Sequence, residues 1–242
     1  MAWANPQAHA VIDVTNVTST SHSLDSTPGV NSLIVTVSHT WKTGSTTHTV
    51  ATSDNQGGGN TYYKRVDSWL NNSTATNSRL NVSDGLAATS SGTFTITLTS
   101  NVAGVDISYG LNVFTGNHTS AWYRSGSSDT TSTGNSDSPV GTMPASGTIG
   151  DLVFGGAANG SDAFTKDADY TLCQTAATGN PVGGEYRVLA SAIADHAGWT
   201  ITGDTWAASA LCYIPAGGAP AWEPQVDAPE KIINIATPRW RS

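Results

Sequence analysis

Apolar and polar residues alternate with a period of two along much of this chain. Leu33, Val35 and Val37 take every second place in Ser32-Leu33-Ile34-Val35-Thr36-Val37-Ser38. Phe94, Ile96 and Leu98 alternate with threonines, and Val105, Ile107, Tyr109, Leu111 and Val113 keep the same period. Ala10, Ile12 and Val14 repeat it near the start. In an extended chain successive side chains point to opposite faces, so each run predicts a strand with one face buried. Further strands are expected over 151–157, 170–174, 185–193, 199–202 and 206–214, and 66–70 reads as strand rather than helical turn.

Turn signals separate the runs. Lys42-Thr43-Gly44-Ser45 reads as a hairpin, with His39 and His48 flanking it, and Asp54-Asn55-Gln56-Gly57-Gly58-Gly59-Asn60 as a long turn. Gly179-Asn180-Pro181-Val182-Gly183-Gly184 is another. Strands at this spacing with glycine-rich turns predict an all-β chain, a jelly-roll-like antiparallel β-sandwich.

Two segments break the pattern. Residues 125–138 contain only Ser, Gly, Asp, Thr and Asn besides Arg124 before them, so a flexible exposed loop is expected between two strand-rich halves. Those halves read as two sheets' worth of one sandwich domain spanning 1–216. From 217 to 242, Pro220, Pro224, Pro229 and Pro238 exclude a helix or a central strand. An extended C-terminal arm is expected there, carrying Trp222, Ile232, Ile233, Ile235 and Trp240, with Arg239 and Arg241. It either folds back over its own sandwich or docks on a neighbour.

Composition narrows the function. Of 242 residues 28 are Ser, 34 Thr and 25 Gly, while only 12% are charged, so hydroxyls rather than charges make the surface polar. The net charge of −8 leaves no basic stripe to neutralise a phosphate backbone, so no nucleic-acid partner is expected. No run approaches the length of a membrane span. The start lacks the basic and apolar regions of a signal peptide. An extracellular-looking composition without an export signal fits a virion component made in the host cytoplasm, with an extracellular protein as the alternative. Two cysteines, Cys173 and Cys212, cannot staple a scaffold; they could pair, but buried and reduced is the favoured reading.

Several segments carry a resemblance. Leu33-Ile34-Val35, Asp54-Asn55-Gln56-Gly57 with Asn60-Thr61-Tyr62-Tyr63, Phe94-Thr95-Ile96-Thr97-Leu98, Gly150-Asp151-Leu152-Val153-Phe154-Gly155 and Trp206-Ala207-Ala208-Ser209-Ala210-Leu211-Cys212-Tyr213-Ile214-Pro215-Ala216 follow in that order. Together they resemble the Ser/Thr/Gly-rich jelly-roll modules of phage virion and bacterial surface proteins, over about residues 30–216. The resemblance implies a fold and an outward-facing role and brings no catalytic residues. The turn here is expanded by two glycines, and the arm lies outside it.

Chemistry is sparse. His9, His22, His39, His48, His118 and His196 form no zinc spacing. Asp162, Asp167 and Asp169 could offer oxygen ligands to calcium, but without a known loop spacing they read as solvated turn residues. With Glu185, Glu223 and Glu230 the only glutamates, no glycosidase pair stands out. No nucleophile elbow or phosphate loop is present. No catalytic, cofactor or metal site is therefore expected. Trp122 and Tyr123 are the candidates for stacking on a glycan.

The expected function is that of a phage virion structural protein, a capsid decoration protein docking non-covalently through the arm on the major capsid protein, other virion proteins or neighbouring copies. Analogy with other capsid decorations suggests a homo-oligomer, with a trimer as the candidate state. The alternative is a glycan-binding or adhesive module of a fibre or cell-surface protein.

Overall fold

The computed structural model describes residues 3–217, apart from 9–10, 73–74, 125–129, 137, 144–146, 161–163, 176–180, 193–195 and 203. The arm residues Trp222, Ile232, Ile233, Ile235, Arg239, Trp240 and Arg241 lie outside the described residues.

The first half contains β1 (Ala4–Ala8), β2 (Ile12–Val17), β3 (Ser19–Ser23), β4 (Leu33–Thr43), β5 (Val50–Asp54), β6 (Tyr62–Asn72), β7 (Thr76–Leu86), β8 (Thr95–Ser100) and β9 (Val105–Thr115). Antiparallel pairing is nested: β2 with β9, β3 with β8 and β4 with β7. Rolling that ribbon adds the pairs β4·β9 and β5·β8. The result is two sheets, β1/β2-β9-β4-β7-β6 and β3-β8-β5, the wiring of a jelly roll.

The second half contains β10 (Thr130–Ser136), β11 (Val140–Thr142), β12 (Leu152–Asn159), β13 (Thr165–Lys166), β14 (Thr171–Thr175), β15 (Val182–Val188), β16 (His196–Thr200) and β17 (Asp204–Tyr213). It repeats the wiring strand for strand, eight places on: β10·β17, β11·β16 and β12·β15 are nested, with β12·β17 and β13·β16 added. Its sheets are β10-β17-β12-β15-β14 and β11-β16-β13. Each half therefore supplies two sheets, not one, and the chain is all-β and antiparallel, a tandem pair of jelly rolls in four layers.

The larger sheet of each half faces the other. Leu33, Val35, Val37, Leu80, Val82 and Phe114 meet Leu152, Phe154, Val182, Ala207, Leu211 and Tyr213 there. Across this layer β4 lies over β12 and β15, β7 over β12 and β17, and β9 over β15 and β14. Exchanging the halves preserves this pattern, as at the isologous interface of a two-fold dimer. The central strands of the inner sheets are buried on both faces: Leu33 to Thr40 of β4 and all of β12 are buried, so the one-sided burial that alternation predicted for β4 does not hold. The outer sheet β3-β8-β5 keeps the strict alternation: Phe94, Ile96 and Leu98 point inward, while Ser19–Thr99, Ser21–Thr97 and Ser23–Thr95 form hydroxyl pairs on the solvent side at 3.2, 2.8 and 2.9 Å.

Four expectations need correction. Part of the loop expected at 125–138 is a strand: Thr130 to Ser136 pairs residue by residue with Ala210 to Asp204. Backbone hydrogen bonds need no apolar side chain, and Gly134 sits where a Cβ would come within 2.7 Å of the Trp206 ring. Lys42-Thr43-Gly44-Ser45 is no hairpin, because β4 and β5 belong to different sheets and the segment crosses between layers. His39 consequently does not face His48 on a ladder; its register partners are Leu80 and Ser108. The strand expected over 185–193 begins at Val182 and ends at Val188.

Candidate functional site at the chain-end pole

Strand register places several distant segments at one end of the stack. β4 and β12 begin there, paired with the ends of β9 and β17: Leu33 opposes Phe114, and Leu152 opposes Tyr213. The two halves are stitched together at the same place, where Ala216 donates its N–H to Gly116 O at 2.6 Å and His118 donates to Ile214 O at 2.8 Å. A short turn then leads into Trp122-Tyr123-Arg124, which runs beside the end of β17 through a Tyr123–Tyr213 bridge. β1 runs beside the end of β9 in the same manner, starting from Ala4 opposite Thr115. Trp3 reaches across the halves and donates its indole N–H to Gly150 O at 2.8 Å. The start of the described chain, the inter-half connection and the exit at Gly217 thus share this pole.

Two equivalent turns project from it. Ser32 donates to Gly29 O and Asp151 to Thr148 O, closing four-residue turns before β4 and β12. The third residue of each has positive φ, 65° at Asn31 and 88° at Gly150, a backbone state that Asn and Gly tolerate best. The second residue of each is a bare aliphatic: Val30 is 62% exposed and Ile149 70%. Beside Val30 an open recess of about 270 Å³ is lined by Asn31, Ser32, Gly116, Asn117, Thr119 and Ala216 among others.

The predicted glycan candidates Trp122 and Tyr123 are brought together here, in a cluster that sequence spacing did not reveal. Trp122 stacks on buried Tyr213 with centroids 6.2 Å apart and planes 15° apart. The Arg65 guanidinium lies 3.8 Å over Tyr123, 4.9 Å over Tyr63 and 5.3 Å over Trp122, a cation–π box. Arg65 Nε donates to both oxygens of Asp84 at 2.9 and 3.0 Å, and Tyr213 Oη donates to Asp84 at 3.1 Å. Asp84 is fully buried, so these donors are what let it carry charge. Burial, and then the negative charge of Asp84, raise the Tyr213 phenol well above its ordinary value. Trp122 has Tyr213 on one face and Tyr63 beside it, so the half-exposed Tyr63 ring, rather than Trp122, carries the cluster to the surface.

A second buried charge pair backs the Ile149 turn. Arg124 grips Asp151 at 2.5 and 2.6 Å and donates to Thr148 Oγ1 at 2.7 Å, while the Thr148 N–H donates to Asp151 Oδ2 at 2.7 Å. Cys212 donates its S–H to the same carboxylate at 3.5 Å. Burial and the Asp151 charge push that thiol up to about 12, so it stays protonated and is a poor nucleophile. Cys173 and Cys212 are both free thiols.

The opposite pole gathers a different set. His48 is buried, its Nε2 hydrogen-bonded to Thr40 Oγ1 at 2.8 Å, and Asn81 Nδ2 donates to the same hydroxyl at 3.2 Å. Arg79 pairs with Asp67 at 2.6 Å, donates to His48 O at 3.0 Å and lies 4.0 Å over the Trp69 ring. The calcium candidates fall on the outer side of the second half. Asp167 and Asp169 spend contacts on the chain itself, Asp167 N–H donating to Glu185 Oε2 and Asp169 N–H to Asp167 Oδ1, each at 3.2 Å; Asp162 lies outside the described residues. Among the described residues no group of three or more His, Cys, Asp and Glu is placed to hold a metal ion, and no helix is long and apolar enough to cross a membrane.

The turn residues Val30 and Ile149 were missed by sequence reading, as were Tyr63, Arg65 and Asp84. One signal was available: Gly29-Val30-Asn31-Ser32-Leu33-Ile34-Val35 and Thr148-Ile149-Gly150-Asp151-Leu152-Val153-Phe154 are the same turn and strand written twice. No family of known proteins, no curated protein and no solved structure matches the chain.

Proposed function

We propose that this chain is a structural protein of a phage virion, a decoration protein that docks without covalent bonds on the shell or on neighbouring copies. The observation that carries the reading is the chain-end pole: uncovered aliphatic tips, aromatic side chains and both chain exits converge on one end of a thoroughly packed four-layer block. Exposed apolar groups clustered on a protein otherwise coated with hydroxyls mark an interaction surface. The arm residues Trp222 and Trp240 supply the aromatic type that concentrates binding energy, and many symmetric copies supply avidity. The jelly roll itself supports the reading only by analogy, since the same architecture serves capsids, lectins and enzymes.

Cosedimentation of the full-length protein with cognate shells tests it. Saturable binding that falls on removing 218–242 is the expected result; a protein that ignores shells in both forms ends the proposal. A second reading, a glycan-binding or adhesive module, rests on the half-exposed Tyr63 ring beside Trp122 and Tyr123. It requires sugar affinity on a glycan array that Tyr63→Ala abolishes while the fold survives.

A further inference from the structure

We infer that the chain-end pole is the seat of residues 218–242 of this same protein. The inference rests on the reading above that this segment is a docking element, and it adds the receiving surface. Three observations meet here. The segment leaves from Ala216–Gly217, and Ala216 itself lines the recess beside Val30, so the tether starts at the rim of its own binding surface. Gly150, next to the exposed Ile149, lies against Pro215, which continues the same surface to the second turn. The segment carries Trp222, Ile232, Ile233, Ile235 and Trp240, which need cover, and the pole carries Val30 and Ile149, which lack it.

Reach and affinity are compatible with this. The 25 residues from 218 to 242 span up to roughly 80 Å when extended, ample to cross one pole or to reach that of an adjoining copy. Covalent tethering raises the local concentration of the segment to about the millimolar range, so modest apolar contacts suffice. Among the described residues no charged one lines the recess; Val30 and Ala216 are among its apolar members and Asn31 and Asn117 among its polar ones. It suits an aromatic side chain carried on a segment whose prolines at 220, 224 and 229 disfavour a helix.

Hydrogen exchange on the full chain and on a chain ending at Gly217 decides it; the shorter chain keeps all seventeen described strands, β1 to β17. Deletion should speed exchange about tenfold at 29–32, 115–119 and 148–151 while leaving 95–100, on the outer sheet, unchanged. A peptide of residues 218–242 added back should restore protection at those three places. In the full chain, Val30→Asp with Ile149→Asp should free the segment and hasten tryptic cleavage at Lys231 and Arg239. Equal exchange at the pole with and without the segment, in dilute and concentrated protein alike, would overturn the inference. So would acceleration spread evenly over the chain, 95–100 included, which would make the segment a general stabiliser. Shell binding separates this from the virion reading. Arm-dependent binding with an unresponsive pole leaves that reading standing and removes this one, and a responsive pole on a protein that ignores shells does the reverse.

Discussion

Thr36 and Gly155 occupy the same place in the two halves, and they show how one wiring is filled in two ways. Each is the fourth residue of its strand's counterpart set, facing the outer sheet of its own half. In the first half the layer above Thr36 is filled by large side chains: Leu24, Val50, Phe94, Ile96 and Leu98 meet Ile34, Ile107, Tyr109 and Leu111. In the second half the outer sheet lies almost on the backbone. A Cβ on Gly155 would come 2.3 Å from Ala197 Cβ, and one on Gly141 would come 2.3 Å from the Ser209 backbone. Small residues in β12 and β17 permit that approach, and Trp199, Trp206, Phe164 and Met143 fill the margins. Pairing order sets the topology, while side-chain volume sets the layer spacing, and the two are separable.

The largest test cuts the seam that the halves share. Asp84→Ala leaves Arg65 and Tyr213 without their acceptor, and breaking a buried pair in this way costs about 3–5 kcal/mol. Denaturant unfolding should show the loss as one shifted transition for the whole chain; two separated transitions would mean that the halves do not depend on each other. Next come opposed substitutions within the halves. Phe94→Ala should cost about 3–5 kcal/mol by opening a cavity in the first half. Gly155→Val should cost about 1–3 kcal/mol or more by overpacking the second. If Gly155→Val is tolerated, the close-layer account of the second half is wrong.

Smaller effects refine the comparison. At the equivalent turns, Gly150→Ala places a Cβ at positive φ and should cost about 1 kcal/mol, whereas Asn31→Gly should change stability by a few tenths of a kcal/mol, read from the same unfolding curves. His48 of the first half should also give the whole-chain transition a pH dependence. Burial, then the nearby Arg79 charge, hold the His48 pKa below its ordinary value. The unfolded chain therefore binds the proton first, and stability falls as pH drops through about 6.5, levelling off below the depressed native value. Unfolding midpoints measured from pH 7.5 to 5 should fall more steeply for wild type than for His48→Gln; equal slopes would remove His48 as the cause.

Much of the first half was legible in the sequence. Phe94, Ile96 and Leu98 sit in an outer sheet with one wet face, where burial and alternation say the same thing. The second half hid more. β10 has no apolar residue, and its place is set by backbone pairing with β17, which leaves no side-chain signature. In β12, Gly155-Gly156-Ala157-Ala158 stand where β4 has Thr36-Val37-Ser38-His39, so the duplicated wiring is masked by residues chosen for thinness. The pole was harder still. Trp122 and Tyr123 were singled out by their chemistry, but Arg65, Asp84 and Tyr213 reach them only through register, from strands far apart in the chain. Val30 and Ile149 look like ordinary aliphatics until both strand ends are known.

The nested pairing also dictates an order of assembly. β2 cannot close until β9 has been made, because Ile12 waits for Tyr109, and β10 waits in the same way for β17. Partners so distant in sequence slow folding, since the entropy of closing each loop is lost before any contact repays it. On the ribosome the first half can complete its own roll early, yet its inner face, with Leu33, Val35 and Phe114, stays uncovered until Leu211 and Tyr213 of β17 emerge. From the completion of β9 until β17 emerges the nascent protein displays a broad sticky sheet, and its yield in a cell depends on what shields that sheet in the meantime.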